Sequence, residues 1–571
     1  MLDDYLQDGP IPIVRIPDLG SVLGERDTSV PAVRYLGIPF ATVRKRWNPP
    51  SPIKPWSGIY DATKLGPAPP GPTTVPPLLS AIGGAIGGTY EACFSERDCL
   101  NLNIFAPTMS VLSMKASQPL LPVMVWIYGG GLRCGSNNAP LYDFTNFVAA
   151  SVHRGTPIIV VCINHRLGDF GFLASKELKE DIDNDPTLTG EQKAVGNWGL
   201  QDQKCAFLWI RDHISAFHGN PNDITAAGSS SGAVTVGFNM LFPALHGLFQ
   251  KAILQSSGPM TTGTQDIEGD GQQDKMARLR ALPEKDLAAF SHVNGVMLYR
   301  PTMDGVLIDQ HLAFVNDDPT RLDPGVQRVL LGVNQDEGSA SGAYAVTKAE
   351  LWSAFRTRLG GSDPALGRAF DQIYGQPELG RGHDSDRQAA RLSILAFAST
   401  LLCKKKEPEQ DGTVHTSMYF FQCTVETLEK KAPGLGASHL LELLYLINSA
   451  PCQQILTPQE QTFTKHVQNV WLEFIVSSST TAMDAKIVPR ITRLYASPTM
   501  GTPAKERDEG GEKKEEGDVE ENVIVILPPS CPAPPRFSTV HVDGGSAEEM
   551  AYAANKRAKT RTTDMAKLDK E

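Results

Sequence analysis

The sequence has no uninterrupted apolar run of membrane-spanning length, so no membrane span is expected. Its amino terminus, MLDDYLQDGPIPIVRIPDLG, puts acidic residues where a signal peptide needs basic ones and lacks a continuous apolar core. A soluble, cytoplasmic protein is the expectation. No basic stretch is long enough to neutralise a run of phosphates, and the net charge of −11 argues against a nucleic-acid partner. Lys404-Lys405-Lys406 reads as solvated surface. Nine cysteines, odd in number and thinly spread, fit a reducing compartment better than a disulfide framework. None falls in CxxC spacing, which argues against structural zinc. The GGAIGG segment from Gly83 has the look of a phosphate loop, but no Lys-Ser/Thr follows it, and it reads as a flexible loop. No cofactor and no metal are expected.

What is present is a chain of 571 residues, 41% of them hydrophobic, ample for a large core. Its organising stretch is ITAAGSSSGAVTV, from Ile224 to Val236. β-favouring residues lead into Gly228-Ser229-Ser230-Ser231-Gly232 and then into a helix-compatible run. This is a G-x-S-x-G strand-to-helix elbow with Ser230 at its tip, where flanking glycines let strand and helix approach closely and leave the serine oxygen exposed. Taken alone, the pentapeptide is equally compatible with a serine-rich turn.

The surrounding chain supplies the context. Residues from about Ile13 to Val33 read as short antiparallel strands, and the Pro/Gly-rich stretch after Trp56 reads as an irregular loop. LPVMVWIY, from Leu121 to Tyr128, is a nearly continuous apolar run, as in a strand covered on both faces. Gly129-Gly130-Gly131 follow it directly. Absent side chains there allow backbone N–H groups to point inward, which is what an oxyanion hole needs, although a plain tight turn fits the same residues. TPIIVVCIN, LFQKAILQSS, VLLGVN and SMYFFQC read as further strands. A helical pattern runs from Gly196 through Trp209 to about Phe217, and an amphipathic helix is expected to end near Val476. Strand, helix and elbow alternate as in an open α/β sheet, whose strand ends gather ligands and catalytic groups. Near the end, residues 501–521 form a strongly polar, acidic insert expected to be disordered, VIVILP reads as a returning edge strand, and the basic stretch from Ser546 reads as helix.

Taken together, DCLNLNI, VWIYGGG, NHRLGDFGF, GNWGLQDQ, FHGNPNDIT, GSSSG and GVNQDEG, in this order, resemble the type-B carboxylesterase and cholinesterase-like branch of the α/β-hydrolases. The resemblance runs from Gly-Ile-Pro-Phe to about Phe474. It implies an α/β-hydrolase fold: a large, mostly parallel central sheet flanked by helices, with helical cap insertions. One domain is expected over 1–571, with a catalytic core over 12–480, a helical cap over 345–402 and a carboxyl-terminal strand and helix over 522–571.

A serine hydroxyl is a poor nucleophile near neutral pH and needs a base, itself oriented by an acid. The resemblance implies Ser230 as nucleophile, Glu337 as acid and His439 as base, in the α/β-hydrolase chain order. Asp336 stands beside Glu337, and only the resemblance selects the second. Gly130, Gly131 and Ser231 would supply oxyanion N–H groups. The implied activity is hydrolysis of a small-molecule carboxylic ester through an acyl-enzyme. Among twelve histidines, His165 and His218 read as loop supports.

Several residues depart from the family pattern. Ser229 stands where glutamate is usual, removing a negative charge beside the nucleophile. Leu440 replaces the glycine after the histidine and is expected to narrow or redirect the site. Ser231 replaces alanine and keeps its backbone donor. Cys99 lacks its usual disulfide partner, whose place falls near Pro69. Arg97 stands where glutamate usually pairs with an arginine resembling Arg46, so that pair depends on Glu96 substituting. Ala340 and Ser341 stand where cholinesterases carry aromatics, which disfavours choline. The insertions look more like those of fungal intracellular members. Two alternatives stay open: a biosynthetic acyltransferase, lactonase or cyclase using the same site, and a non-catalytic binding protein on the same fold.

Overall fold

The computed structural model describes residues 12–71, 93–108, 111, 119–259, 264–268, 274–293, 298–310, 319–334, 415–421, 423, 425–431, 437–477, 491–495 and 522–526. The expected cap at 345–402, the acidic insert at 501–521, the GGAIGG loop and the carboxyl-terminal helix lie outside these residues, as do Glu337, Ala340 and Ser341.

The amino-terminal strands are β1 (Ile13–Ile16), β2 (Gly20–Leu23) and β3 (Glu25–Arg26). They are followed by β4 (Ala32–Pro39), β5 (Ala41–Thr42), β6 (Ser51–Pro52) and β7 (Ile59–Asp61). β1 pairs antiparallel with β2, as the alternation of apolar residues and turn signals predicts. The main strands are β8 (Asn101–Pro107), β9 (Leu121–Ile127), β10 (Ile159–Ile163), β11 (Gly219–Ser229), β12 (Lys251–Gln255) and β13 (Arg328–Asn334). The last strands among the described residues are β14 (His415–Phe421), β15 (Ile491–Tyr495) and β16 (Asn522–Ile526).

Among the described residues, an 11-stranded sheet runs β15-β16-β14-β13-β12-β11-β9-β10-β8-β4-β3. From β16 to β10 every pairing is parallel, and antiparallel pairs sit at either end. This is the expected mostly parallel architecture. VIVILP departs from its reading as an edge strand: β16 lies between β14 and β15, and β15 forms the edge. Its unbroken run of β-branched residues suits a strand hydrogen-bonded on both sides.

The apolar run of β9 is covered on both faces. Val123, Val125 and Ile127 join one core with the helices Trp198–His213 and Ser231–Leu241, while Met124 and Trp126 join a second core with Thr145–His153 and Pro458–Val476. Alternation along a strand thus feeds two cores, and this explains why the sequence there shows almost no polar residue. The single amphipathic helix expected before Val476 is three helices, Glu442–Ile447, Ala450–Ile455 and Pro458–Val476. Asn448 ends the first in the left-handed conformation, φ 52°, and Pro451 and Pro458 stand in the first turns of the next two. Thr457 and Glu460 close a capping box at the start of the last. In the same way Pro283 separates the helices Asp274–Ala281 and Glu284–Val293. Among the described residues, no helix is long and apolar enough to cross a membrane.

Candidate active site

Ser230 sits where β11 ends and the helix Ser231–Leu241 begins, with φ 55° and ψ −126°. This backbone is strained for a residue with a side chain, at a cost of order 1–3 kcal/mol that the surrounding structure must offset. Two bonds hold it: the Ser230 N–H donates to the Gln255 carbonyl at 2.9 Å, and the Ser230 carbonyl accepts from Val234 N–H at 3.1 Å. The glycines on either side are required by space. A Cβ on Gly228 would lie 2.6 Å from the Gly232 carbonyl carbon, and one on Gly232 would lie 2.1 Å from the Ile127 oxygen. Strand and helix therefore meet at van der Waals distance, as the elbow reading requires.

The glycine loop after β9 lies against this serine. A Cβ on Gly129 would fall 2.7 Å from Ser230 Cβ, and one on Gly130 would fall 2.0 Å from the Cys134 carbonyl oxygen. Gly130 and Gly131 have φ 130° and 69°, conformations that favour glycine. Tyr299 N–H donates to the Gly131 carbonyl at 2.9 Å, while Arg133 and Cys134 N–H groups bond the Gly130 carbonyl. With their carbonyls engaged from behind, the N–H groups of Gly130, Gly131 and Ser231 have no acceptor among the described residues. Such a set of fixed donors suits a developing oxyanion.

Beneath the loop, side chains from separate motifs lock together. Arg166 of NHRLG and Asp202 of GNWGLQDQ are both fully buried and form a bidentate pair at 2.7 and 2.8 Å. Asn197 accepts from Thr302 N–H at 2.8 Å and donates to Asp304, whose other oxygen collects the N–H groups of Val306, Leu307 and Ile308. His165 is fully buried, its Nδ1–H donating to the Arg166 carbonyl at 3.0 Å, and its ring stacks on Tyr128 with centroids 5.2 Å apart. Burial holds its pKa below the ordinary 6.5. It is a loop support, as is His218, which ends a helical turn at φ 65°.

The histidine side of the site is made differently. His439 is half-buried in the turn before the helix Glu442–Ile447. Asn334, the last residue of β13, donates to the Ser438 carbonyl at 2.7 Å and also to Glu442. Ser256, which follows Gln255 of β12, has φ 56° and donates to Glu442 Oε1 at 3.1 Å. The His439 turn is thereby fastened to the carboxyl ends of β12 and β13. Glu337, three residues beyond Asn334, lies outside the described residues. Ser256 and Asn334 escaped the sequence reading; their position at the carboxyl ends of adjacent parallel strands is the signal that marks them.

Arg46 does pair with Glu96, Nε to Oε2 at 2.8 Å, so Glu96 fills the role that Arg97 cannot. Cys99 is buried and Cys93 exposed, and both are free thiols. Leu440 does not narrow the site through its bulk: its side chain is 6% exposed and belongs to the hydrophobic core beneath the turn. Its φ of 70° explains why glycine suits this position. Ser229 is fully buried, and its Oγ has no partner among the described residues.

A glycine-bounded strained serine, a donor loop against it and a histidine turn at the strand ends define an α/β-hydrolase framework. The sequence model of the carboxylesterase family matches residues 10–492. The chain is 34% identical over 483 residues to para-nitrobenzyl esterase of Bacillus subtilis, covering 80% of this chain and 88% of that protein. It is 32% identical to cocaine esterase of Oryctolagus cuniculus, covering 80% and 85%. Against acetylcholinesterase of Electrophorus electricus identity is 33%, and the match covers 56% of this chain and 51%, about half, of that protein. Among solved structures, a PNB esterase superposes with a TM-score of 0.64 at 25% identity, covering 82% of this chain and 91% of the other. The chain belongs to the carboxylesterase family, which places it among the carboxylic ester hydrolases.

Proposed function

We propose that this chain hydrolyses carboxylic esters of neutral or apolar small molecules through an acyl-enzyme on Ser230. His439 takes the hydroxyl proton as Ser230 Oγ attacks the ester carbonyl, and Glu337 orients the imidazole and stabilises its cation. The N–H groups of Gly130, Gly131 and Ser231 receive the oxyanion, where losing one donor typically costs roughly 10²–10³ in rate. The proton then passes from His439 to the departing alkoxide. Water, deprotonated by the same imidazole, attacks the acyl carbonyl and frees Ser230.

The observation that carries this reading is the strained φ of 55° at Ser230 with the Gly129 backbone packed against its Cβ. A catalytically idle turn has no need of either. Esterases among the relatives support the same chemistry: those named para-nitrobenzyl esterase and cocaine esterase align over more than four-fifths of their own lengths. A neutral substrate is inferred from Ser229, whose fully buried hydroxyl brings no charge beside the nucleophile. The test is turnover of a chain-length series of chromogenic esters by the protein and by Ser230→Ala. Saturable hydrolysis that vanishes in the variant supports the proposal. Acylation without release of the acid would favour an acyltransferase, and no acylation of folded protein would favour a binding protein.

A further inference from the structure

The donor loop after β9 closes on itself. Gly135, at its exit, doubles back on its entry: a Cβ there would fall 2.9 Å from the Gly129 oxygen and 2.5 Å from the Tyr128 ring. Between these ends the Leu132 carbonyl accepts from Gly168 N–H at 2.7 Å, and the Gly130 carbonyl accepts from the loop's own Arg133 and Cys134. Ser230 is fixed by its own main-chain bonds, but the place of Gly130 and Gly131 against it depends on what holds the chain just past Gly135.

That chain is Ser136, Asn137 and Asn138, all buried, and it meets three buried asparagines from distant motifs. These are Asn101 and Asn103 of DCLNLNI and Asn164 of NHRLG. Asn137 is the centre. Its N–H donates to Asn164 Oδ1 at 2.8 Å, and its carbonyl accepts from Asn103 Nδ2 at 3.0 Å. Its Nδ2 reaches the Asn101 carbonyl, Asn101 Oδ1 and the Cys162 carbonyl, each at 3.3 Å. Three acceptors around one nitrogen fix which way this amide faces, since a flip would turn Oδ1 against three oxygens.

The knot reaches outward from there. Asn101 Nδ2 donates to the Pro67 carbonyl at 2.7 Å, Asn138 Nδ2 to the Gly66 carbonyl at 2.7 Å, and Gly37 N–H of β4 to Asn103 Oδ1 at 2.8 Å. Cys99, two residues before Asn101, is a free thiol, so these bonds are made without a covalent link through it. Removing Asn137's amide would orphan several buried acceptors at once, which loosens a network more than the loss of one exposed bond.

We propose that Asn137 is a positioning residue of the donor loop: by tying the loop's exit to β8 and to the end of β10, it sets where the Gly130 and Gly131 N–H groups meet the oxyanion. The inference rests on reading Ser230 as nucleophile and these N–H groups as its oxyanion donors. Complete loss of one donor typically costs roughly 10²–10³ in rate, so a loosened pair is expected to cost about tenfold.

The test uses the full chain, a chromogenic ester and an aryl trifluoromethyl ketone. Ser230 Oγ adds to the ketone carbonyl, its proton passing to His439, and leaves a hemiketal oxyanion facing the donors. For Asn137→Ala the expected result is a fall in kcat of about tenfold per folded site, with KM within about twofold and ketone affinity reduced by the same factor as kcat. A purely structural role would lower the amount of folded protein and leave both values per site unchanged. Folded Asn137→Ala with parental kcat, or with lowered kcat and parental ketone affinity, overturns the proposal. Should that variant fail to fold, Asn138→Ala removes the single side-chain bond to Gly66: kcat and ketone affinity fall together about threefold, and parental values overturn the proposal. Fluorophosphonate labelling of the parent, lost in Ser230→Ala, tests the underlying reading separately. If it fails, the nucleophile assignment falls; if it succeeds and Asn137→Ala behaves as the parent, only the role of Asn137 falls.

Discussion

The two halves of this site are held by different forces. On the nucleophile side, Gly129, Gly228 and Gly232 admit backbone to within contact distance, and hydrogen bonds from main chain to main chain fix Ser230. On the histidine side, the turn is tethered by side chains, Asn334 and Glu442 above all, and it carries a non-glycine residue, Leu440, in a left-handed conformation. The first half depends on atoms that are missing and the second on polar atoms that are present. Added atoms should therefore damage the former, and lost polar atoms the latter.

The largest effect lies at the tip of the elbow. Ser230→Ala is expected to lower kcat by about 10⁴-fold or more, with the melting temperature nearly unchanged because the strained backbone persists. A steady-state assay beside a thermal melt checks both parts, and residual turnover within tenfold of the parent would mean that Ser230 is not the nucleophile. Next comes Gly232→Ala, whose methyl would meet the Ile127 oxygen at 2.1 Å. Overpacking of this kind costs about 3 kcal/mol, which outweighs the gain of about 1 kcal/mol from replacing glycine within a helix. Urea unfolding should show the loss, and an unchanged midpoint would mean that strand and helix are not in contact there.

A smaller effect is expected at Leu440, where two terms oppose each other. Leu440→Gly relieves a left-handed backbone by about 1–2 kcal/mol but removes a buried side chain worth roughly 2–3 kcal/mol and adds chain entropy of up to about 1 kcal/mol. Net destabilisation of about 1–2 kcal/mol follows, and a stabilised variant would show that strain dominates this half. The smallest effect concerns His165. Its pKa is held below the ordinary 6.5 by burial, so the native state resists the proton that the unfolded chain accepts. Its contribution is fully present above pH 6.5 and is lost as the pH falls below that value, toward and through its folded pKa. Melting temperatures from pH 8 to pH 5 should decline on the acid side, and His165→Phe, which keeps a ring against Tyr128, should flatten part of that decline.

Much of the nucleophile half was legible in the sequence because its information is local. A glycine two residues either side of a serine, after a β-favouring run, states the space requirement directly, and Gly129-Gly130-Gly131 after an apolar run states the donor loop. The parallel sheet followed from runs too apolar to leave a face in water, as in β9, β10 and β13. The histidine half is spread over residues 256, 334, 438 and 442, and nothing local in the sequence couples a serine to a glutamate far along the chain. Helix boundaries before Val476 stay hidden in the sequence because the apolar spacing continues across Asn448, Pro451 and Pro458. VIVILP reads as a strand from its composition, yet its inner place depends on β15, whose pairing no local pattern announces. Glu96 illustrates the middle case: the sequence named the alternative partner for Arg46, and only the structure chose it.

As the nucleophile of a working ester hydrolase, Ser230 should be marked selectively by covalent labelling. The folded protein is treated with a fluorophosphonate, the modified peptide is mapped by mass, and Ser230→Ala is treated in parallel. The expected result is one adduct on Ser230, absent in the variant, with ester turnover lost in step with labelling. Intact, folded protein that turns over esters with the adduct elsewhere, or that carries no adduct at all, would rule Ser230 out as the nucleophile.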